Sequence, residues 1–257
     1  MTDHDLSGLA FPAVVAHRGA SSTRPENTVA SFEEAIRLGA QIVEFDVRLS
    51  RDGVPVVIHD PAVDRTTDGT GLVHELTAAE IASLRVEGGE AIPMLAEVLR
   101  TLSGRAAAAI EIKNIPGEPA FDPAHEAIVE AVHAELGGAG FRGPVLVISF
   151  NPASIAASKA IGPSVPTGLL TTDLVDPREA LAYAVAQGHD MVLPGTRASI
   201  PAGEAFVEEV HAAGVRAGTW TADDPQTVRM LFDRGFDAVA SNDPAMALRV
   251  LAERARS

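Results

Sequence analysis

Short apolar runs alternate along this chain with longer stretches in which apolar residues return every three or four positions. The first pattern suits strands buried on both faces and the second suits helices with one covered side. Eight strands are expected, at Ala13–His17, Gln41–Leu49, Ala106–Lys113, Val145–Phe150, Pro166–Thr171, Asp190–Leu193, Val215–Thr221 and Asp237–Ser241. The helical pattern falls at Asn27–Leu38, Met94–Leu102, Pro123–Leu136, Pro152–Ile161, Pro177–Ala186, Ala202–Ala213, Pro225–Arg234 and Pro244–Arg256. Five of these segments follow Asp-Pro or Asn-Pro, which is start chemistry for a helix, and Gly39, Gly188, Gly214 and Gly235 stand where helices stop.

Repeated strand–helix units imply parallel strands joined by right-handed crossovers. Eight of them close naturally into a (β/α)₈ (TIM) barrel. An open doubly wound sheet is the alternative, weakened by the lack of a glycine-rich fingerprint after the first strand. The rhythm breaks once, between Ser50 and Gly104. There an extra apolar run, Val54–His59, precedes the turn-rich DRTTDGTG and a short helical pattern near Thr77–Leu84. The expected organisation is therefore a single barrel domain over residues 1–257. Residues 50–104 hold a small insertion after the second strand, together with the crossover helix.

The length of 257 residues suits one such unit. The formal net charge of −15 makes nucleic acid and anionic membrane surfaces poor partners, and an anionic small substrate would need local positive charge. With no Cys, thiolate chemistry and Cys-ligated zinc are excluded. The N-terminus opens with acidic residues and lacks a basic region followed by an apolar one, and no apolar run approaches about 18 residues. A cytoplasmic protein without membrane insertion is expected; the oligomeric state is not legible.

Candidate chemistry begins with VEFDV. Alternation on a strand points Glu44 and Asp46 the same way, with Val43, Phe45 and Val47 opposite. Two carboxylates on one face call for a divalent cation, or for solvation or pairing with Arg18 or Lys113. Glu111 and Lys113 share a face near the end of the third strand, where barrel active sites lie, as a third ligand with a phosphate-facing cation or as an ion pair. His17 and His59 each end an apolar run and suit a base and an acid at neutral pH, or two polar termini. Arg18 matches phosphate oxygens or pairs with the acid of PEN. Trp220, the only Trp, is a wall of the site or a core filler.

Together these segments resemble the glycerophosphodiester phosphodiesterases. The likeness runs from about Val14 to Ala247 and rests on AHRGA (Ala16–Ala20), RPENTVASFEEAIRLGA (Arg24–Ala40), VEFDV (Val43–Val47), DGVPVVIHDP (Asp52–Pro61), DRTTDGTG (Asp64–Gly71), IPMLAEVL (Ile92–Leu99), IEIK (Ile110–Lys113), ISFNP, TWTADDP and SNDP. The ordered set HRG, PENT, E-x-D and HD is specific, whereas each piece alone is weak. The resemblance implies a (β/α)₈ barrel with an insertion after the second strand. It implies hydrolysis of a small-molecule glycerophosphodiester to sn-glycerol 3-phosphate and an alcohol with Mg²⁺ or Ca²⁺. By the same likeness Glu44, Asp46 and Glu111 are the metal ligands, His17 and His59 the acid/base pair, and Arg18 and Lys113 the phosphate contacts. Two departures bear on substrate choice: Asp223 stands where relatives carry Asn, and LRVEGGEAIPML is short. Alternatives are a phospholipase D-like or lysophospholipase D activity on the same scaffold, and a binding module without activity.

Overall fold

The computed structural model describes residues 4–256; positions 1–3 and 257, and the parts of the sequence expectations that fall on them, lie outside the described residues. Its strands are β1 (Ala13–Ala16), β2 (Ile42–Leu49), β3 (Pro55–Val57), β4 (Ala107–Ile112), β5 (Val145–Ser149), β6 (Thr167–Thr171), β7 (Met191–Pro194), β8 (Arg216–Thr219) and β9 (Ala238–Ser241). Eight of them pair in parallel, in the order β1-β9-β8-β7-β6-β5-β4-β2, and the β1–β2 pairing closes the ring. This is the expected (β/α)₈ barrel. The remaining strand, β3, hangs antiparallel on the end of β2, with Val47 opposite Val57 and Leu49 opposite Pro55. It is the extra apolar run of the sequence and lies outside the ring.

The helices are α1 (Val29–Leu38), α2 (Ala78–Ser83), α3 (Leu95–Leu102), α4 (Ala127–Gly138), α5 (Pro152–Ile161), α6 (Pro177–Gln187), α7 (Thr196–Ala212), α8 (Pro225–Asp233) and α9 (Pro244–Arg254). Alternation on β2 sorts its side chains as expected. Val43, Phe45 and Val47 bury outward against Phe32 of α1 and Leu95 and Leu99 of α3. Glu44 and Asp46 are left facing the barrel axis. The interior is filled by short side chains from several staves, among them Ala13, Ala107, Ala109, Ala238 and Ala240, with Ile148, Leu170 and Leu193. The insertion between β2 and α3 has a small core of its own, built from Val56, Ile58, Val63, Val73, Ile81 and Val86. Among the described residues no helix is long and apolar enough to cross a membrane.

Boundaries differ where side chains take over the backbone. β1 ends at Ala16, so His17 is the first residue beyond it. α1 starts at Val29, not Asn27: Asn27 has φ 57°, and Thr28 with Ser31 forms a capping box. Of the five Pro-led starts, four are genuine caps, with Asn151, Asp176, Asp224 and Asp243 accepting from the first turn. The fifth is not. Asp122 accepts from the amides of Ala124 and His125 and is bonded to the Asn114 side chain, which makes a turn, and the helix waits until Ala127. α7 starts six residues early, at Thr196, and kinks at Gly203, where φ is 70° and ψ −164°.

Candidate active site

At the carboxyl ends of β1, β2 and β4 the ladder register sets Asp46 directly opposite Glu111, with Glu44 two residues before Asp46 on the same face. All three carboxylates are buried, Asp46 completely. One oxygen from each lies within 4.8 Å of the other two, close enough to share an ion. Glu44 Oε1, Asp46 Oδ1 and Glu111 Oε1 accept no well-aligned hydrogen bond. Carboxylate oxygens buried in this way give up hydration, which is costly unless cations compensate. The donors are all carboxylate oxygens, which suits a hard divalent cation.

Two cations of the chain already stand beside the acids. The Lys113 ammonium is 2.6 Å from Glu111 Oε1 and 3.0 Å from Asp46 Oδ1. Arg18 Nε is 3.2 Å from Asp46 Oδ2, and its Nη1 is 3.1 Å from Glu26 Oε1. Pairing within the chain and a shared ion are therefore not exclusive readings: three acids face two cations, and one negative charge remains once all three acids are ionised. Burial, then the neighbouring Asp46, push Glu44 up to about 8. Burial does the same to Glu111, up to about 8, against the opposing pull of Lys113. Burial also raises Asp46, but Lys113 and Arg18 outweigh it and hold that carboxyl below its ordinary range. Asn27 donates to Asp46 Oδ2 at 2.8 Å.

The turn after β1 carries His17 and Arg18. The Arg18 amide donates to Glu44 Oε2 at 2.9 Å, which pins the turn to β2. His17 Nε2 lies 4.0 Å from Glu44 Oε2, while its Nδ1 is 2.8 Å from Asn242 Oδ1. The Asn242 amide donates through Nδ2 to Asp223 Oδ2 at 2.6 Å, and Asp223 Oδ1 accepts the Asn242 backbone N–H at 2.7 Å. A carboxylate only accepts, so Asn242 must turn its oxygen to His17. His17 then carries its proton on Nδ1 and keeps an Nε2 lone pair toward the acids. Burial, then Arg18, lower its pKa and favour the neutral ring.

His59 follows β3. Its Nδ1 is 2.6 Å from Asp60 Oδ1, again leaving Nε2 as the available nitrogen. Burial is the main cause that lowers its pKa, with Lys113 and Arg18 adding to it. Arg48 holds the His59 carbonyl at 2.8 Å. His17 follows the carboxyl end of β1, and His59 follows β3, whose Val57 pairs with Val47 toward the carboxyl end of β2, so both belong to one mouth of the barrel. Across that mouth stands an apolar wall. Trp220 donates to the Leu193 carbonyl at 2.9 Å and meets Phe150 edge to face at 5.2 Å. A cavity of about 50 Å³ beneath the site is lined by His17, Glu44, Glu111 and Trp220 at its top and by Ile42 and Ala109 lower down.

All eight residues singled out from sequence thus converge. Asn242, Asn27, Asp60 and Arg65 were not singled out; Glu26 was marked only as the acid of PEN that could pair with Arg18, and Asp223 only as a departure bearing on substrate choice. They act on other side chains, and no periodicity reveals that; their only sequence clue is membership of the PEN, HD, DRTTDGTG, TWTADDP and SNDP segments.

A closed barrel whose carboxyl end carries an acid triad able to share a cation, beside two engaged imidazoles, suits a hydrolase of phosphate esters. The pattern of the glycerophosphoryl diester phosphodiesterase family matches residues 17–246, and the chain belongs to that family. It is 33% identical over 251 residues to the glycerophosphodiester phosphodiesterase of Caldanaerobacter subterraneus subsp. tengcongensis, covering 93% of this chain and 97% of that one. Its fold matches an Oleispira antarctica phosphodiesterase, solved in complex with the product sn-glycerol-3-phosphate, at TM-score 0.84 and 28% identity over 94% of this chain and 97% of that one. The glycerophosphodiester phosphodiesterase of Agrobacterium tumefaciens matches at TM-score 0.77 and 26% identity, over 93% and 99%.

Proposed function

We propose that this chain, working as one catalytic domain with residues 50–104 as its insertion and crossover helix, hydrolyses glycerophosphodiesters to sn-glycerol 3-phosphate and an alcohol. The observation that carries the reading is the acid triad, whose buried oxygens converge beside two imidazoles of fixed tautomer. Glu44, Asp46 and Glu111 hold Mg²⁺ or Ca²⁺, which when bound offsets negative charge on the phosphoryl oxygens. Arg18 and Lys113 add positive charge at the same place. One imidazole takes the proton of the nucleophile, either water or the glycerol 2-hydroxyl, at Nε2. The other, entering the step protonated on both nitrogens, gives its Nε2 proton to the leaving alkoxide as the P–O bond breaks; where the 2-hydroxyl is the nucleophile, water then opens the cyclic phosphate to sn-glycerol 3-phosphate. Trp220 and Phe150 form the wall against which the carbon side of the substrate rests.

The test is release of glycerol 3-phosphate from a panel of glycerophosphodiesters and one lysolipid, with chelator and with Mg²⁺ or Ca²⁺ restored. Turnover should vanish with chelator and return with cation. His17→Ala and His59→Ala should each lose at least ~100-fold in kcat, the scale of a missing acid or base. Full turnover in chelator, or in either variant, would refute the corresponding assignment. Preference for the lysolipid would move the activity to the lysophospholipase D class.

A further inference from the structure

Arg65 belongs to the insertion, far along the chain from the barrel strands that carry the acids, and its side chain is about half exposed. Yet it is committed on two sides. Its Nε donates to Asp60 Oδ2 at 2.5 Å and its Nη2 to Asp60 Oδ1 at 3.1 Å. Its Nη2 also donates to Glu26 Oε1 at 2.7 Å, and its Nη1 to Glu26 Oε2 at 3.0 Å. Asp60 in turn holds His59 Nδ1, and Glu26 holds Arg18 Nη1. One guanidinium therefore closes a chain that runs His59–Asp60–Arg65–Glu26–Arg18 across the mouth of the barrel.

We propose that Arg65 is a positioning residue, which fixes His59 through Asp60 and Arg18 through Glu26 and so makes the insertion part of the active site. This rests on the reading of His59 as an acid/base group and of Arg18 as a phosphate contact. Three features support it. A guanidinium has five N–H groups, and four are used here, which leaves little for direct contact with substrate. Asp60 and Glu26 are two carboxylates turned toward one point, and without the cation between them they would repel and splay. Hydrogen bonding from Arg65 is the first cause that holds Asp60 down to about 2, so Asp60 stays an acceptor and the His59 proton stays on Nδ1. The loop bearing Arg65 is itself anchored. Val63 is fully buried in the insertion core, Thr67 donates back to the Val63 carbonyl through N–H and Oγ1, and Thr67 bridges to Val86. The packing of the insertion thus sets where the guanidinium sits.

The experiment uses Arg65→Ala and Arg65→Lys in the full chain with cation present, beside His59→Ala. In protein carrying ¹⁵N-histidine, the His59 signals are assigned by their loss in His59→Ala and should report the Nδ1–H tautomer. Arg65→Ala should fall about 10- to 100-fold in kcat/KM, the scale of misplaced catalytic groups. Its His59 signals should move toward mixed tautomers, and guanidinium ion added to the buffer should restore part of the rate. Arg65→Lys should recover little, because one ammonium cannot serve both carboxylates bidentately. A folded Arg65→Ala with wild-type kcat/KM would overturn the proposal, and so would one with unmoved His59 signals. A slow Arg65→Ala whose loss lies wholly in KM, with kcat and the His59 signals intact, would make Arg65 a substrate contact and overturn it too. If His59→Ala turns over normally, it is the acid/base reading that fails, and the positioning role falls with it.

Discussion

At the scale of single residues, the site depends on groups that fix the direction of other groups. On the acid/base reading His17 acts through Nε2, and that this nitrogen is the one left open is decided two residues away in the hydrogen-bond chain, by Asp223 acting through Asn242. Asp223→Ala frees the Asn242 amide to flip and present N–H to the ring, which would disfavour the working tautomer. We expect a loss of about 10-fold in kcat with KM little changed, measured by steady-state turnover, on the scale of a disturbed orienting group. An Asp223→Ala enzyme with unchanged kcat would show that His17 keeps its tautomer without this help. The clustered carboxylates and the two histidines were legible in the sequence, because Glu44 and Asp46 sit at strand spacing and His17 and His59 each end an apolar run. The orienting roles of Asp223 and Arg65 were not, because they depend on partners 5 to 39 positions away in the chain and on a contact to a contact.

At the scale of elements, the turn between β1 and α1 decides whether the first histidine reaches the acids. Gly19 has φ 82°, and a Cβ built on it would meet Ser31 Oγ at 2.3 Å and the Ser31 backbone carbon at 2.7 Å. Ser31 cannot yield easily, since it is the fourth residue of the Thr28 capping box and also donates to the Arg18 carbonyl. Gly19→Ala thus combines left-handed strain with a backbone clash. It should destabilise the fold by roughly 1–3 kcal/mol on the usual scale of such strain, read from denaturant unfolding. An unfolding midpoint equal to the parent's would mean that the turn relaxes freely. The strands and most helices were legible because their periodicity is local. The start of α4 was not: Asp122-Pro123 has the form of a cap, but Asn114 captures Asp122 from another loop and turns the cap residue into a turn residue.

At the scale of the whole molecule, closing the ring concentrates charge that a net-acidic chain would otherwise spread out. Glu44 and Glu111, at about 8 in the folded protein against an ordinary 4.5, bind protons more tightly folded than unfolded. Their contribution to stability is fully present below about 4.5 and is lost as pH rises through about 8. His17 and His59 are lowered from 6.5, so above neutrality they are uncharged in both states and do not oppose this trend. In chelator, the melting temperature should therefore fall between about pH 7 and 8.5. Saturating Mg²⁺ or Ca²⁺ should raise it and flatten the slope by binding the ionised acids. A chelated protein whose melting temperature is level or rising over that interval would contradict the charge balance described for the triad. The chain alone determined the strand–helix alternation, the side chains that share a face, and the carboxylates and imidazoles that reach the carboxyl ends of their strands, because each of these follows from neighbours a few positions apart. Only the closed barrel decided that Asp46 stands opposite Glu111, that Asn242 reaches His17 across the β1–β9 seam, and that an arginine of the insertion ties His59 to Arg18. Those distances exist only after staves far apart in sequence have been brought together, and burial together with the neighbouring charges then shifts each acid and imidazole.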